Sequence, residues 1–452
     1  MAQDMTTGNP ARILLAFSVP MLIGNLFQQF YNIVDTIVVG QFVGAGALAA
    51  VGASSTIVML LVCLATGLSV GCSVLVSQYY GAADPVHMRQ AVYISLVFNE
   101  AVGLALSLFG IIGAPWLLAL TRVPADIRAD AATYLVIYCV GGVFLFAYNV
   151  FASMCRAIGD AKTPVYFLVF TSLLNIVCDL IFVLGFGWGV AGVAIATTLS
   201  QGISAVSCGF YMRRHVPVLR LGREDCVFDG AMLADLISYA LPSTVQNTIV
   251  ALSAVAVQGL VNTFGTVTIA GYTAANKIDQ FATQPLLSLN MAVTSFTAQN
   301  IGAGRVDRVR AGFRVTMALS LGIAVVLSLL IFIGGKTLVG LFVQGRESAG
   351  VVAAGMRYIR IVSLAYWLFA WMFASSGVLR GAGDMGVYLL GTAVNFVFRI
   401  AMAYALAPAV GFRAIAWSIP IGWSLCILVN MIRYFQGGWQ FKAKVQRENN
   451  HG

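Results

Sequence analysis

The chain has 452 residues, of which 60% are hydrophobic and only 10% are charged, and its mean hydropathy is +0.88. Soluble domains carry roughly 25% charged residues, so this composition excludes a soluble globular protein and indicates an integral membrane protein. The formal net charge of +9 does not indicate nucleic-acid binding, because the basic residues are scattered over short loops, mostly on one side of the membrane, as the positive-inside rule describes.

Apolar stretches of about 20 to 30 residues alternate with short polar loops, which predicts an all-α protein because a spanning helix needs about 20 residues. No cleavable signal peptide is expected, since the first apolar stretch is too long for one. We predict twelve transmembrane helices. They cover residues 13–40, 47–77, 91–115, 130–155, 165–186, 190–212, 237–264, 268–298, 312–341, 355–378, 386–408 and 412–435.

The first and fifth spans contain polar residues that are expensive to bury. Asp35 lies near the end of the first span, and Asn175 and Asp179 lie one helical turn apart on one face of the fifth. A charge at the membrane centre costs about 2.5–3.5 kcal/mol, so such residues usually face a cavity and serve a function. Two buried carboxylates and an amide predict a site for a cation or a proton.

Four further charged residues lie inside spans. Glu100, in the third span, is either a buried packing group or part of a cavity. Lys277 and Asp279 in the eighth span and Arg399 in the eleventh predict a second charge network, in which structural pairing is favoured. Lys277 and Asp279 are two residues apart and therefore do not share a helix face.

The chain contains an internal repeat, which predicts two halves of six helices each. The residues that recur at an offset of 221 are Gly44 and Gly265, Ala49 and Ala270, Ala53 and Ala274, Ile57 and Ile278, Gln78 and Gln299, Gly81 and Gly302, Ala82 and Ala303, and Arg89 and Arg310. Those that recur at an offset of 224 are Tyr134 and Tyr358, Ile137 and Ile361, Arg156 and Arg380, Gly159 and Gly383, and Asp160 and Asp384.

Because six is even, both halves enter from the same side, so we expect two six-helix lobes related by a pseudo-two-fold axis along the membrane normal. The predicted boundaries are an N-terminal lobe at 1–212, an inter-lobe loop at 213–236, a C-terminal lobe at 237–435 and a tail at 436–452. Most of the 26 Lys and Arg residues fall on the side of both termini and of the inter-lobe loop, which predicts that this side is cytoplasmic.

Each half has a proline at the same place in its first helix, Pro20 and Pro242, an offset of 222. A proline removes one backbone hydrogen bond and permits a bend. The pair predicts either a static kink or a helix that bends and straightens during transport.

Several segments resemble multidrug and toxic compound extrusion (MATE) transporters. They are SQYYGAADPVHMRQA at 77–91, AQNIGAGRVDRVRAG at 298–312, RAIGDAKTP at 156–164, and NIVCD at 175–179 followed by GVAGVAIATTLSQ at 189–201. The resemblance covers essentially the whole chain. It implies an ion-coupled antiporter that exports organic, often cationic, compounds from a cavity between two lobes.

In the DinF-like branch, which the chain resembles, the first lobe holds a cation site. Carried over by motif, the resemblance implies Asp35, Asn175, Asp179 and a threonine, either Thr197 or its neighbour Thr198. It also implies a supporting tyrosine, Tyr134 or Tyr138. A rise of about 1.5 Å per residue places Asp35, Asp179 and Thr197 at a common depth, roughly 10 Å below the outer surface.

The second lobe is expected to differ from the first. Its first helix has no carboxylate, unlike another well-known MATE pattern, and at an offset of 220 the position aligned with Asp179 is Arg399. A guanidinium stays charged and repels a cation, so we predict that the two lobes are functionally unequal.

The sequence therefore predicts a monomeric inner-membrane exporter of small organic cations, with a proton or a sodium ion as the coupling ion. No metal site is expected, because no Cys or His spacing typical of one is present. No other cofactor and no enzymatic activity are expected either. An ATP-driven pump is excluded, since Gly335-Lys336-Thr337 has Leu330 where a phosphate-binding loop needs glycine. The alternative is a lipid-linked sugar flippase of the same wider superfamily.

Overall fold

The structure is a computed structural model in which residues 3–342 and 348–445 are described. These residues form fourteen α-helices and no β-strand. The helices are α1 Pro10–Val38, α2 Ala45–Gly81, α3 Pro85–Leu120, α4 Arg128–Val140, α5 Gly142–Ala157, α6 Lys162–Leu180, α7 Gly189–His215, α8 Gly230–Val261, α9 Thr266–Gly302, α10 Val306–Gly340, α11 Ser348–Leu364, α12 Tyr366–Gly381, α13 Met385–Val410 and α14 Arg413–Gln436.

Short turns extend several of these helices. Single π-helical turns continue α1 over Val39–Val43 and α6 over Ile181–Gly185. Turns of 3-10 helix follow α7, α8 and α14, at Pro217–Leu219, Asn262–Phe264 and Gly438–Phe441. Pro20 and Pro242 both lie inside helices that continue through them.

Most of the helices are long and apolar enough to cross a bilayer. In the described residues, nine do so singly, and the pairs α4 with α5 and α11 with α12 do so together, with bends of 47° and 50°. The remaining predicted span is α9, which is 37 residues long but more polar. The prediction of an all-α integral membrane protein is confirmed. The fourth and tenth spans, predicted as single helices, are each broken in two, at Gly141 and Ala365.

The backbone repeats as the sequence does. Gly44 (φ 115°, ψ 173°) precedes α2, and Gly265 (φ 84°, ψ 164°) precedes α9 at the offset of 221. This region of φ and ψ is essentially restricted to glycine. A Cβ at either position would meet no atom within 4 Å, so backbone conformation and not space requires glycine there. The breaks at Gly141 and Ala365 likewise differ by 224.

The chain divides into two compact units. Unit 1 contains the residues up to Asp4 and Ile23–Thr244, and unit 2 contains Met5–Leu22 and the described residues from Val245 onward. Helix α1 therefore begins in unit 2 and ends in unit 1, and α8 does the reverse. Each division falls two residues after a proline, Pro20 in α1 and Pro242 in α8.

An apolar cluster in unit 1 lies beside the predicted site. Its members include Val39 and Val183 in the two π-helical turns and Val193 in α7. Each of these three residues lies four positions from a predicted site residue, so the same helix faces carry both. Burying a valine side chain contributes about 1.5–3 kcal/mol, and this packing holds the ends of α1, α6 and α7 together.

Candidate functional site

Asp35 and Asp179 meet in unit 1, although they are 144 positions apart in the sequence. Their carboxyl groups lie within hydrogen-bonding reach of each other. Asp179 is fully buried and Asp35 is half-buried. Each carboxyl has a buried Oδ1 atom without a hydrogen-bond partner. Two acceptors this close, with unsatisfied oxygens, form an arrangement that a shared proton or a cation would complete.

Asn175 and Thr197 extend this pair onto α7. Asn175 Nδ2 lies 3.4 Å from Thr197 Oγ1, and the Thr197 hydroxyl donates to the Val193 carbonyl at 3.1 Å. With the amide turned so that its nitrogen faces Asp179, it donates to Oδ2 at 3.0 Å, and its oxygen accepts from the Thr197 backbone N–H at 3.2 Å. Asn175, 2% exposed, and Thr197, 8% exposed, thus place a neutral amide and a hydroxyl beside the carboxylates.

Two tyrosines of α4 lie next to the carboxylates. The rings of Tyr134 and Tyr138 stack with centroids 6.3 Å apart, and both are buried. Tyr134 lies near enough to Asp35 and Asp179 for electrostatic interaction. Tyr138 is one turn further along α4 and hydrogen-bonds with Gln201 of α7. Tyr134 is therefore the tyrosine that faces both carboxylates.

Tyr31 also belongs to this cluster, and the sequence did not single it out. It interacts electrostatically with Asp35, Asp179, Tyr134 and Tyr138. Tyr31 lies one helical turn before Asp35. This i, i+4 spacing was the sequence feature that could have placed Tyr31 beside the carboxylates. The same spacing is common in ordinary helix packing, so it would not have been decisive alone.

Thr198 faces away from the carboxylates. Its hydroxyl donates to the Ile137 carbonyl of α4 at 3.2 Å, and a Cβ at Gly141 would lie 2.7 Å from its methyl carbon. Thr198 lines an apolar groove of about 590 Å³. The other residues that line this groove are Ile137, Val140, Phe144, Ile195, Leu199, Gly202, Ile203, Val206 and Ser207. Among the bonds of the described residues, Thr197 and not Thr198 is joined to Asn175.

The charged residues of unit 2 form a partial network. The Tyr366 hydroxyl donates to Asp279 Oδ1 at 2.6 Å, and Arg399 interacts electrostatically with Asp279. Lys277 is exposed, and no bond among the described residues joins it to Asp279 or Arg399, so its part in this network stays a prediction. The helix itself separates the two side chains, because residues two positions apart on α9 point in different directions.

The offset of 220 that aligned Arg399 with Asp179 was also wrong, by one helical turn. Positive-φ glycines flank α6 and α13, and they pair at an offset of 224 on both sides: Gly159 with Gly383, and Gly187 with Gly411. Arg399 therefore corresponds to Asn175, and Ala403 corresponds to Asp179. Unit 2 still has no carboxylate at either position.

Glu100 is separate from these clusters. Its Oε1 atom is buried without a hydrogen-bond partner, and no described contact joins it to Asp35 or Asp179. Within residues 3–342 and 348–445, no group of three or more His, Cys, Asp or Glu side chains could hold a metal ion. An ion at the unit 1 site would instead find two carboxylates with amide and hydroxyl oxygens, the ligands that hard cations prefer.

A repeated all-α membrane fold with two interacting carboxylates inside its helices is typical of a membrane transporter. The MatE family model matches residues 20–181 and 242–405. The chain is 29% identical over 441 residues to the probable multidrug resistance protein YpnP of Bacillus subtilis, covering 97% of this chain and 98% of that protein. It is 30% identical over 381 residues to the probable multidrug resistance protein YoeA of the same organism, covering 83% and 82%. A crystal structure of MATE in complex with MaL6 superposes with a TM-score of 0.91 at 23% identity, covering 97% of this chain and 98% of that one.

The two matched segments correspond to the two halves of the repeat and cover well over half of the sequence, so the chain belongs to the MatE family of multidrug efflux transporters. Structures of that family have twelve helices in two lobes, and the predicted fold is confirmed. Its members are transporters and not enzymes.

Proposed function

We propose that the protein is a secondary active antiporter that exports organic, often cationic, compounds from the cytoplasm in exchange for protons or sodium ions moving inward. The observation that carries this proposal is the contact between Asp35 and Asp179, with Asn175 and Thr197 beside them. This set of residues also favours the DinF-like branch. The lipid-linked sugar flippase is not favoured, because the relatives above are described as multidrug resistance proteins.

The coupling follows from charge. Two carboxyl groups in contact inside an apolar unit cannot both remain ionised cheaply, so they bind a shared proton or a bridging sodium ion. Ion entry from outside neutralises the pair and removes its attraction for an organic cation. Ion release to the cytoplasm restores the charge and, with it, the affinity for the next substrate.

Alternating access would link this site to the helix that carries Asp35. Pro20 lies in α1, and the helix passes from unit 2 to unit 1 two residues later, between Leu22 and Ile23. A proline leaves one backbone carbonyl unpaired, so bending there disrupts fewer hydrogen bonds than elsewhere in the helix. Neutralising Asp35 would then change the bend of α1 and shrink the binding cavity.

The test is transport in liposomes by Asp35→Asn and Asp179→Asn variants, with imposed pH or sodium gradients and a panel of fluorescent organic cations that includes ethidium. Gradient-driven transport should fall to the level of protein-free liposomes, because an amide neither binds a proton nor carries a charge in this range. Asp307→Asn is the matched control, since that carboxylate is fully exposed. Wild-type rates and gradient dependence in both site variants would place the coupling site elsewhere, with Glu100 and Asp279 as the next candidates.

For orientation we propose that both termini and the loop 213–236 are cytoplasmic, as the distribution of Lys and Arg favours, and that the protein acts as a monomer in the plasma (inner) membrane. Its partners would be small organic cations and lipid. No cofactor other than the coupling ion is proposed.

A further inference from the structure

Unit 2 does not duplicate the carboxylate pair of unit 1. The offset of 222 set by the two prolines makes Val257 the counterpart of Asp35, and the offset of 224 makes Ala403 the counterpart of Asp179. Both residues are buried in an apolar core of unit 2. The place of the ion site is therefore filled by apolar packing.

Unit 2 nevertheless has a carboxylate, Asp279, that interacts with three tyrosines. Asp279, on α9, accepts a hydrogen bond from the Tyr366 hydroxyl at 2.6 Å. Tyr366 is the first residue of α12, directly after the break at Ala365. The rings of Tyr272 and Tyr358 meet edge to face at 5.0 Å, and both interact electrostatically with Asp279. Asp279 is half-buried, and a carboxylate in such an apolar place needs a compensating positive charge.

Arg399 is a positively charged residue that acts on this carboxylate. It interacts electrostatically with Asp279 and with both tyrosines of the pair, although no direct ion pair joins it to Asp279 among the described residues. Its Nε atom is buried and has no hydrogen-bond partner. Its position is restricted by α14, because a Cβ at Gly422 would lie 3.3 Å from Arg399 Cβ.

We propose that the Arg399 guanidinium is the resident cation of unit 2, which keeps Asp279 ionised and prevents it from binding an exchangeable ion. Burial opposes the charge on Asp279, but the Tyr366 O–H and a guanidinium that never deprotonates both stabilise it. The nearby tyrosine hydroxyls are neutral at physiological pH, and Lys277 points outward.

Replacing Arg399 by an apolar residue would then expose a latent cation site. Asp279 would be left in an apolar unit without a counter-charge, and it would bind a proton or a sodium ion instead. The effect on transport rests on the proposed function. If unit 1 exchanges the coupling ion, the variant carries more ions per exported substrate than the wild type.

Infrared spectroscopy of the purified full-length protein tests the site without depending on transport. In sodium-free buffer at neutral pH, Arg399→Met should gain a carbonyl-stretch band of a protonated carboxylic acid, and this band should be absent from the Arg399→Met, Asp279→Asn double variant. Arg399→Lys, which keeps the charge, is the matched control and should gain no band. Arg399→Gln is the second neutral variant and should behave like Arg399→Met.

Two results would overturn the proposal. One is the absence of an Asp279-dependent acid band in both neutral variants. The other is the loss of such a band when Asp279→Asn is introduced into the wild type, because Asp279 would then already be protonated.

Transport in liposomes separates this proposal from the function on which it rests. The number of protons exchanged per ethidium should rise in Arg399→Met and return to the wild-type number in the double variant. If Asp35→Asn leaves coupling intact while the infrared band of Arg399→Met appears as expected, the proposed function is wrong. The proposal that Arg399 is the resident cation is then still supported. If Asp35→Asn abolishes coupling and no band appears in Arg399→Met, the proposed function is supported and the proposal for Arg399 is wrong.

Discussion

At the scale of single residues, Thr197 and Thr198 show how strongly position around a helix determines a role. Neighbours differ by about 100° around an α-helix, so only one of two adjacent threonines can face the carboxylates. Thr197 contacts Asn175 at 3.4 Å, whereas Thr198 bonds the Ile137 carbonyl and lines the apolar groove. The two hydroxyls provide a matched pair of substitutions.

We predict that Thr197→Val raises the ion concentration needed for half-maximal transport about tenfold, equivalent to about 1.4 kcal/mol, because a site oxygen is lost. Thr198→Val should leave that concentration unchanged and reduce thermal stability by about 0.5–1.5 kcal/mol, the contribution of one hydrogen bond. Transport measured against ion concentration, with thermal unfolding in parallel, checks both. Equal shifts in the two variants would show that Thr197 has no special place at the site.

The residues of the site divide into those that the sequence could reveal and those that it could not. Asp35, Asn175 and Asp179 were predictable because charged and strongly polar side chains in an apolar span are expensive to bury and stand out. Tyr31 could not be predicted, since a tyrosine in a membrane span can face the lipid, pack in the protein core or belong to a functional site. The choice between Thr197 and Thr198 depends on which side chain faces the site as α7 turns. An error of one residue in the predicted edge of the span is enough to exchange the two.

At the scale of elements, the repeat was visible in glycines that the backbone requires. Spans four and ten were predicted as single helices because hydrophobicity continues through Gly141 and Ala365, and a break within an apolar stretch leaves no polar signal. The offset error at Arg399 has a similar origin. Two apolar helices of periodic sequence align almost equally well when one is shifted by a helical turn. Here the flanking glycines with positive φ determine the correct alignment of the two repeats.

Gly44 and Gly46 give the second prediction, on stability. Gly44→Ala should destabilise the protein by about 1–3 kcal/mol, because alanine cannot adopt φ 115° and ψ 173° without strain. Gly46→Ala, in the first turn of α2, should be neutral or stabilising by up to about 1 kcal/mol. Both positions have free space around a Cβ, so conformation alone separates them.

Thermal unfolding of both variants in detergent measures the difference. The repeat extends the prediction to Gly265→Ala, which should resemble Gly44→Ala because the two turns share a backbone conformation. A Gly44→Ala variant as stable as the wild type would show that the turn before α2 can relax.

At the scale of the whole molecule, the orientation in the membrane can be read with a natural probe. Cys226 is exposed in the connection between α7 and α8, whereas the other seven cysteines are buried or half-buried. We predict that an impermeant maleimide does not label Cys226 in intact cells and does label it after permeabilisation, because we propose that the loop 213–236 is cytoplasmic. Cys226→Ser is the control for labelling elsewhere. Labelling of intact cells that disappears in Cys226→Ser would reverse the topology.

The division of α1 and α8 between the units bears on how such a chain could arise. Each unit takes the first part of one of these helices from the other half of the sequence. A half-length ancestor, made of one repeat alone, would have lacked that part of a helix within its own unit. Exchange of the segment with a second copy, which is domain swapping, would have completed the unit. In a fused chain the same exchange would be intramolecular, at an effective concentration on the order of millimolar. The two halves of such a gene would then depend on each other to fold.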